Sequence, residues 1–137
     1  MRVPGSVLHI TKHEGATRQI EAAIDALQRG DFDVAVTLAG AAEGMLGAPD
    51  QPHLWPFLRD HPKVSHIDQK ERIEMLNQDR DWLKHLTPQS APTLTLEPLH
   101  AGFMIARAAS KLEPWTPKME EFKEWLLENI NDLWGRA

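Results

Sequence analysis

Residues 32–46 constrain the fold most strongly, because they form a predicted helix that is apolar on nearly every side. A helix of this kind is normally buried between neighbouring helices. Gly40 and Gly44 both lower its intrinsic helix propensity, so close packing against a neighbour is the expected reason for these glycines. The pattern therefore predicts a helix that lies between others.

Glu43 is the unusual residue of this segment. On a helical wheel its side chain falls among apolar neighbours such as Val36 and Leu46, where an unpaired carboxylate would be costly. It needs a cationic or hydrogen-bond-donating partner, or it must be held in its protonated form. Arg107, on a later predicted helix, is one candidate partner. A structural ion pair is favoured over a catalytic carboxylate at this position.

Residues 67–86 form a second long stretch with helical periodicity, uninterrupted by glycine or proline. One side is apolar, and the other carries groups able to bind or titrate. These polar residues are Glu74, Asn77, Arg80, Asp81, Lys84 and His85. Their concentration on one helix predicts a functional site.

Three further helices complete the predicted architecture. The first runs from about Glu14 to Arg29, with Gly30 as its C-cap and Asp31 as the N-cap of the next helix. Thr95 is expected to cap a helix that continues to about Leu112. A last amphipathic helix covers residues 118–134, and its tryptophans are expected to dock on the bundle. The fold class is therefore all-α: an up-and-down bundle of four long helices plus a C-terminal amphipathic helix.

The composition agrees with one helical domain. The chain has 137 residues, 42% of them hydrophobic and 26% charged, and it contains no tyrosine. We expect a single domain over residues 1–137, with a core at 14–112. The absence of cysteine is consistent with a cytoplasmic location and excludes thiolate metal sites. No apolar run is long enough to predict a membrane span or a signal peptide, and the net charge of −5 disfavours tight non-specific nucleic-acid binding.

Residues 47–66 contain four prolines and cannot form a continuous helix. The apolar residues 54–58 within them are expected to cover the core as a lid. His53, His61 and His66 lie nearby, but their spacing matches no defensible zinc signature, so scattered loop histidines are the favoured interpretation. We therefore expect no metal and no cofactor.

The segment from Arg80 to His85, RDWLKH, resembles the Arg-x4-His signature of HEPN domains. Residues 38–43, LAGAAE, followed by Asn77 and this motif, are similar to a group of small, stand-alone bacterial proteins of unestablished function. The resemblance covers about residues 14–126. It implies a helical bundle that carries the motif on the later part of its third long helix.

Catalytic HEPN proteins are metal-independent ribonucleases in which a two-fold homodimer brings both motifs into one cleft. By this resemblance, His85 would act as general base or acid on the 2′-hydroxyl or the leaving oxygen. Arg80 would hold the scissile phosphate, and Asp81 would orient one of the two. Asn77, Lys84 and Glu43 would bind phosphate or support the site. Because Arg80 and His85 lie roughly 140° apart around one helix, a site shared between two chains is expected.

Three interpretations remain open at the level of sequence. The first is a homodimeric bundle that cleaves RNA, or binds RNA or a nucleotide, through Arg80 and His85. The second is a non-catalytic helical module for dimerisation or for binding a protein partner. The third treats the polar strip as a solvated, salt-bridged helix face, which would tolerate substitution with changes within about 0.5 kcal/mol.

Overall fold

A computed structural model of the chain describes residues 1–48, 69–86 and 91–135. This part of the chain contains five helices and no strand, which confirms the predicted all-α class. The helices are α1 (Lys12–Arg29), α2 (Phe32–Leu46), α3 (Gln69–Lys84), α4 (Pro98–Ala109) and α5 (Pro117–Gly135). No helix in these ranges is long and apolar enough to cross a membrane. The predicted lid at residues 54–58 lies outside the described residues.

A capping box starts α1 two residues before the predicted start. The Glu14 backbone N–H donates to Thr11 Oγ1 at 3.0 Å, and the Glu14 carboxylate accepts from the Thr11 backbone at 3.4 Å. Gly30 ends the helix in the left-handed conformation, with φ of 85°, as predicted. Only two residues separate α1 from α2, so the two helices form a tight antiparallel pair.

Asp31 occupies the predicted N-cap position of α2 but makes no side-chain capping bond. Its carboxylate instead accepts from Arg29 Nε at 3.1 Å, and both side chains are more than half exposed. An exposed pair of this kind contributes little to stability. The prediction of the boundary was correct, whereas the capping role was wrong because Arg29 competes for the same carboxylate.

The core forms where α1, α2 and α4 meet, and it is rich in alanine. Ala23, Ala35 and Ala39 are fully buried, and small side chains of this kind let helix backbones approach closely. The outer face of α2 is less covered than predicted: Val34 is 42% exposed, and Ala41 is also exposed. Because most residues on that face are small, their exposure leaves little apolar area in water.

The fourth helix starts later than predicted. Its N-cap is Glu97 rather than Thr95, because Pro98 favours the first helical position and disfavours helical geometry in the residue before it. The Glu97 backbone N–H donates to His100 Nδ1 at 3.1 Å. Beyond Ala109 the chain continues in tight turns to Leu112, the predicted end.

The last helix docks on the bundle through Trp125, as predicted, whereas the Trp134 side chain lies outside the described residues. Met119 and Phe122 of α5 are buried in the core, and Trp125 lies over Gly102 of α4. A Cβ atom at Gly102 would stand only 2.7 Å from the Trp125 ring, so this glycine provides space for the indole. The docking fixes α5 against the same helix that carries Arg107.

Candidate functional site

Glu43 lies at the centre of a buried polar cluster between α2, α3 and α4. Its residue surface is only 4% exposed. The carboxylate accepts from Arg107 Nε and from Arg107 Nη2, each at 2.8 Å, in the bidentate geometry that arginine and carboxylate groups favour. Arg107 is itself only 1% exposed. The predicted burial of Glu43 and its predicted partner are therefore both confirmed.

Arg80 approaches the same carboxylate from α3. Its Nη1 donates to Glu43 Oε1 at 3.4 Å, and its Nη2 donates to Asp81 Oδ1, also at 3.4 Å. Both distances lie at the long end of the hydrogen-bond range. The Arg80 side chain remains 25% exposed although its Nε is buried without a hydrogen-bond partner, so this side chain extends from the buried cluster to the surface.

Asn77 completes the cluster one turn before Arg80. Its side-chain oxygen accepts from Arg107 Nη2 at 3.1 Å, so a side-chain hydrogen bond links α3 to α4. The structure thus brings four of the six predicted site residues together: Glu43, Asn77, Arg80 and Asp81. The arrangement joins three helices that are distant in sequence.

Burial and like charges shape the electrostatics of this cluster. Burial lowers the pKa of Arg107, while the Glu43 carboxylate raises it and Arg80 lowers it further. Burial also lowers the pKa of Lys111, whose Nζ donates to the Gly47 carbonyl at 2.7 Å. Three cationic side chains therefore lie near two carboxylates. The cations are Arg80, Arg107 and Lys111, and the carboxylates are those of Glu43 and Asp81. With all of these groups ionised, the cluster carries one surplus positive charge.

The remaining two predicted site residues, Lys84 and His85, lie apart from this cluster. Both are exposed at the C-terminal end of α3, where the His85 backbone N–H donates to the Asp81 carbonyl at 2.9 Å. They line an open surface depression together with Trp82, Leu86, Ala91 and Pro92. Arg80 is not among the residues that line it. Among the described residues, Arg80 therefore does not line the depression that contains His85.

Trp82 shapes one wall of this depression. Its indole Nε1 donates to the Ala91 carbonyl at 2.7 Å and ties the segment before α4 to α3. This hydrogen bond holds the end of α3 against the chain that leads into α4.

The half-buried Asp79 carboxyl lies on the same helix. Burial raises its pKa, and His100 lowers it to a lesser extent.

Three residues in or beside the cluster were not among the predicted site residues: Arg107, Lys111 and Gly40, the last of which lies against the Arg80 side chain. Arg107 had a visible signal, since it is a cation within the otherwise apolar helix α4. Gly40 had a weaker one, as a glycine inside a helix. Lys111 gave no signal that separates it from other surface lysines.

The described residues contain no group of three or more histidine or acidic side chains arranged to hold a metal ion. His53, His61 and His66 lie outside the residues that the structure describes. Comparison of the chain with protein-family models, with curated proteins and with solved structures finds no significant match. The case for a function therefore rests on the side chains of this chain.

Proposed function

We propose that the chain is a HEPN-like homodimer that binds RNA through Arg80 and cleaves it without metal through His85. One observation carries the proposal. The Arg80 guanidinium group is held in place by two carboxylates, yet a quarter of its side chain reaches solvent. An arginine that is both positioned and accessible suits the bidentate recognition of a phosphate.

The chemistry assigned to the two residues is general acid–base catalysis with charge stabilisation. His85 accepts the proton of the ribose 2′-hydroxyl, and the 2′-oxygen attacks the neighbouring phosphorus. The bond from phosphorus to the 5′-oxygen then breaks, the leaving oxygen takes up a proton from water, and His85 returns its proton to the solvent. Arg80 stabilises the negative charge on the phosphoryl oxygens during this step. The products are a 2′,3′-cyclic phosphate and a free 5′-hydroxyl.

The direction of the two side chains supports a site built from two copies. Arg80 turns inward between α2 and α3, whereas His85 lies exposed past the end of α3. The five-residue separation places them roughly 140° apart around the helix axis. A two-fold axis near α3 would bring Arg80 of one copy towards His85 of the other. The same copies would place Asn77 and Lys84 near the interface.

A non-catalytic module for dimerisation or for binding a protein partner is the second candidate. It is favoured by a specific observation, since Glu43 and Asp81 already pair with the guanidinium group of Arg80. In this alternative, Arg80 holds α3 against α2 and no phosphate takes part. The exposed apolar side chains of Val34, Leu86 and Leu127 would then contribute to the binding surface.

The two candidates differ in their response to single substitutions. Purified protein is incubated with single-stranded and structured RNAs between about pH 6 and 8, the range in which an unperturbed histidine titrates. Arg80→Ala is expected to weaken binding and to flatten its salt dependence. His85→Ala is expected to abolish cleavage but to leave binding nearly intact. EDTA is expected to change neither property.

Two variants serve as matched controls. Arg18→Ala removes an exposed arginine from α1, and His9→Ala removes an exposed histidine from the segment before α1. Neither change is expected to alter binding or cleavage. If no RNA in the panel is bound or cleaved, the non-catalytic module becomes the better account of the protein.

A further inference from the structure

Gly40 marks the place where the Arg80 side chain crosses α2. A Cβ atom added at Gly40 would lie 2.8 Å from Arg80 Cδ and 2.9 Å from Arg80 Cγ, closer than carbon atoms can approach. Gly44, one turn further along the same helix, has no such neighbour within 4 Å. Gly40 is buried and Gly44 is exposed, and of the two only Gly40 contacts Arg80.

The backbone does not account for Gly40. Among the described residues only Gly30 and Gly47 have a positive φ, so position 40 could carry any residue with ordinary helical geometry. A glycine inside a helix also costs stability relative to alanine. What Gly40 provides is space for the aliphatic part of Arg80.

The contacts of Arg80 make its position sensitive to that space. Both of its hydrogen bonds are 3.4 Å long, so a shift of a few tenths of an ångström away from the carboxylates would break them. The Glu43–Arg107 bonds are shorter, at 2.8 Å, and the three atoms nearest to the added Cβ atom all belong to Arg80. A side chain at position 40 would therefore displace Arg80 while leaving the buried pair in place.

We propose that Gly40 is a positioning residue: it sets where the Arg80 guanidinium group meets an RNA phosphate. The part that concerns RNA rests on the proposed function. The part that concerns position rests on the steric relation between residues 40 and 80 alone. Gly40 thus acts through Arg80 and needs no contact with the ligand.

The test compares Gly40→Ala with Gly44→Ala, each made in the wild-type and in the Arg80→Ala background. RNA affinity is measured by fluorescence anisotropy with a labelled single strand, and the melting temperature by circular dichroism. Gly40→Ala is expected to weaken RNA binding about tenfold, close to the effect of Arg80→Ala. Gly44→Ala is expected to stay within about twofold of wild type. In the Arg80→Ala background, Gly40→Ala is expected to have no further effect on binding.

The melting temperatures of the same variants form a second double-mutant cycle, which does not depend on RNA binding. Gly44→Ala is expected to raise the melting temperature equally in both backgrounds, because alanine favours the helix. Gly40→Ala is expected to raise it only in the Arg80→Ala background, where the colliding atoms are absent. If Gly40→Ala alone fails to fold, the Gly40→Ala/Arg80→Ala double variant is expected to fold.

The outcomes separate the two parts of the proposal. Equal behaviour of Gly40→Ala and Gly44→Ala in the thermal cycle would overturn the positioning role. A second outcome is coupling between positions 40 and 80 in the thermal cycle, with RNA affinity unchanged in Arg80→Ala. This outcome would support the steric role of Gly40, but it would overturn the link to RNA and contradict the proposed function. Loss of affinity in Arg80→Ala but not in Gly40→Ala would contradict the positioning role and leave the proposed function standing.

Discussion

Replacing Glu43 with alanine tests the central feature of the fold. The carboxylate accepts three hydrogen bonds, two from Arg107 at 2.8 Å and one from Arg80 at 3.4 Å. Arg107 is 1% exposed and cannot turn to water without opening the packing of α4. Glu43→Ala would therefore leave a buried cation without its carboxylate.

The expected cost is about 3–5 kcal/mol, the range for removing one partner of a buried ion pair. Arg80 adds little to this figure, because its bond to Glu43 is long and its side chain is partly exposed. A domain of this size is typically stable by about 5–15 kcal/mol, so a large share of the stability would be lost. For 137 residues, each kcal/mol corresponds to roughly 3.5 °C in melting temperature, giving a decrease of roughly 10–17 °C.

Urea unfolding followed by far-ultraviolet circular dichroism measures this free energy directly. Glu120→Ala, which removes an exposed carboxylate from α5, is the control and should change stability by less than about 0.5 kcal/mol. The double variant Glu43→Leu/Arg107→Met replaces the pair with apolar side chains and should recover most of the loss. A cost below about 1 kcal/mol for Glu43→Ala, or no recovery in the double variant, would refute this account of the cluster.

Three further outcomes follow from single features. Thr11→Ala should lower the unfolding free energy by about 1 kcal/mol in urea titrations, because it removes the α1 capping bond. Burial raises the pKa of Asp79 in the folded state, so the free energy of unfolding falls as pH rises through that pKa and the buried carboxyl ionises. Asp79→Asn should therefore have a higher melting temperature than wild type at about pH 8, but not below about pH 3, where the carboxyl is protonated in both states. If the proposed homodimer forms, light scattering at about 50 μM should report twice the chain mass, with roughly 1,600 Å² buried in total; a monomer would contradict it.

Helix positions were predictable because the signals that set them are local. The bounds of α2, Phe32 and Leu46, match the prediction, since a glycine in the left-handed conformation and the short turn after it mark its start. The burial of Glu43 was also predictable, because a carboxylate among apolar residues on a helical wheel has no other low-energy solution. In both cases one stretch of sequence contains the whole physical cause.

The misses arose where two local signals competed. Thr95 and Glu97 can both cap a helix, and Pro98 decides between them because it fits the first helical position. Asp31 has the right identity for a cap, yet Arg29 lies two residues away and takes its carboxylate. The identity of a residue alone does not show which of two neighbouring residues will cap a helix, or which partner a carboxylate will bind.

The layout of the site depended on contacts that are distant in sequence. Arg107 lies 64 residues from Glu43, and no periodicity in the sequence specifies which cation reaches a buried carboxylate. The separation of Arg80 from His85 was predictable from the angle between them on one helix. The crossing of Arg80 over Gly40 required the positions of both α2 and α3.

The presence of two arginines at one buried carboxylate is the strongest reason to look beyond structural stability. Arg107 alone donates to both oxygens of Glu43 with short, bidentate bonds. A second guanidinium group near the first is electrostatically unfavourable, since Arg80 lowers the pKa of Arg107. Its own bonds are long, and it requires a glycine in α2 that weakens the helix. Packing of α3 on α2 would be served as well by an apolar side chain, which is why we propose that Arg80 has a ligand that needs its charge.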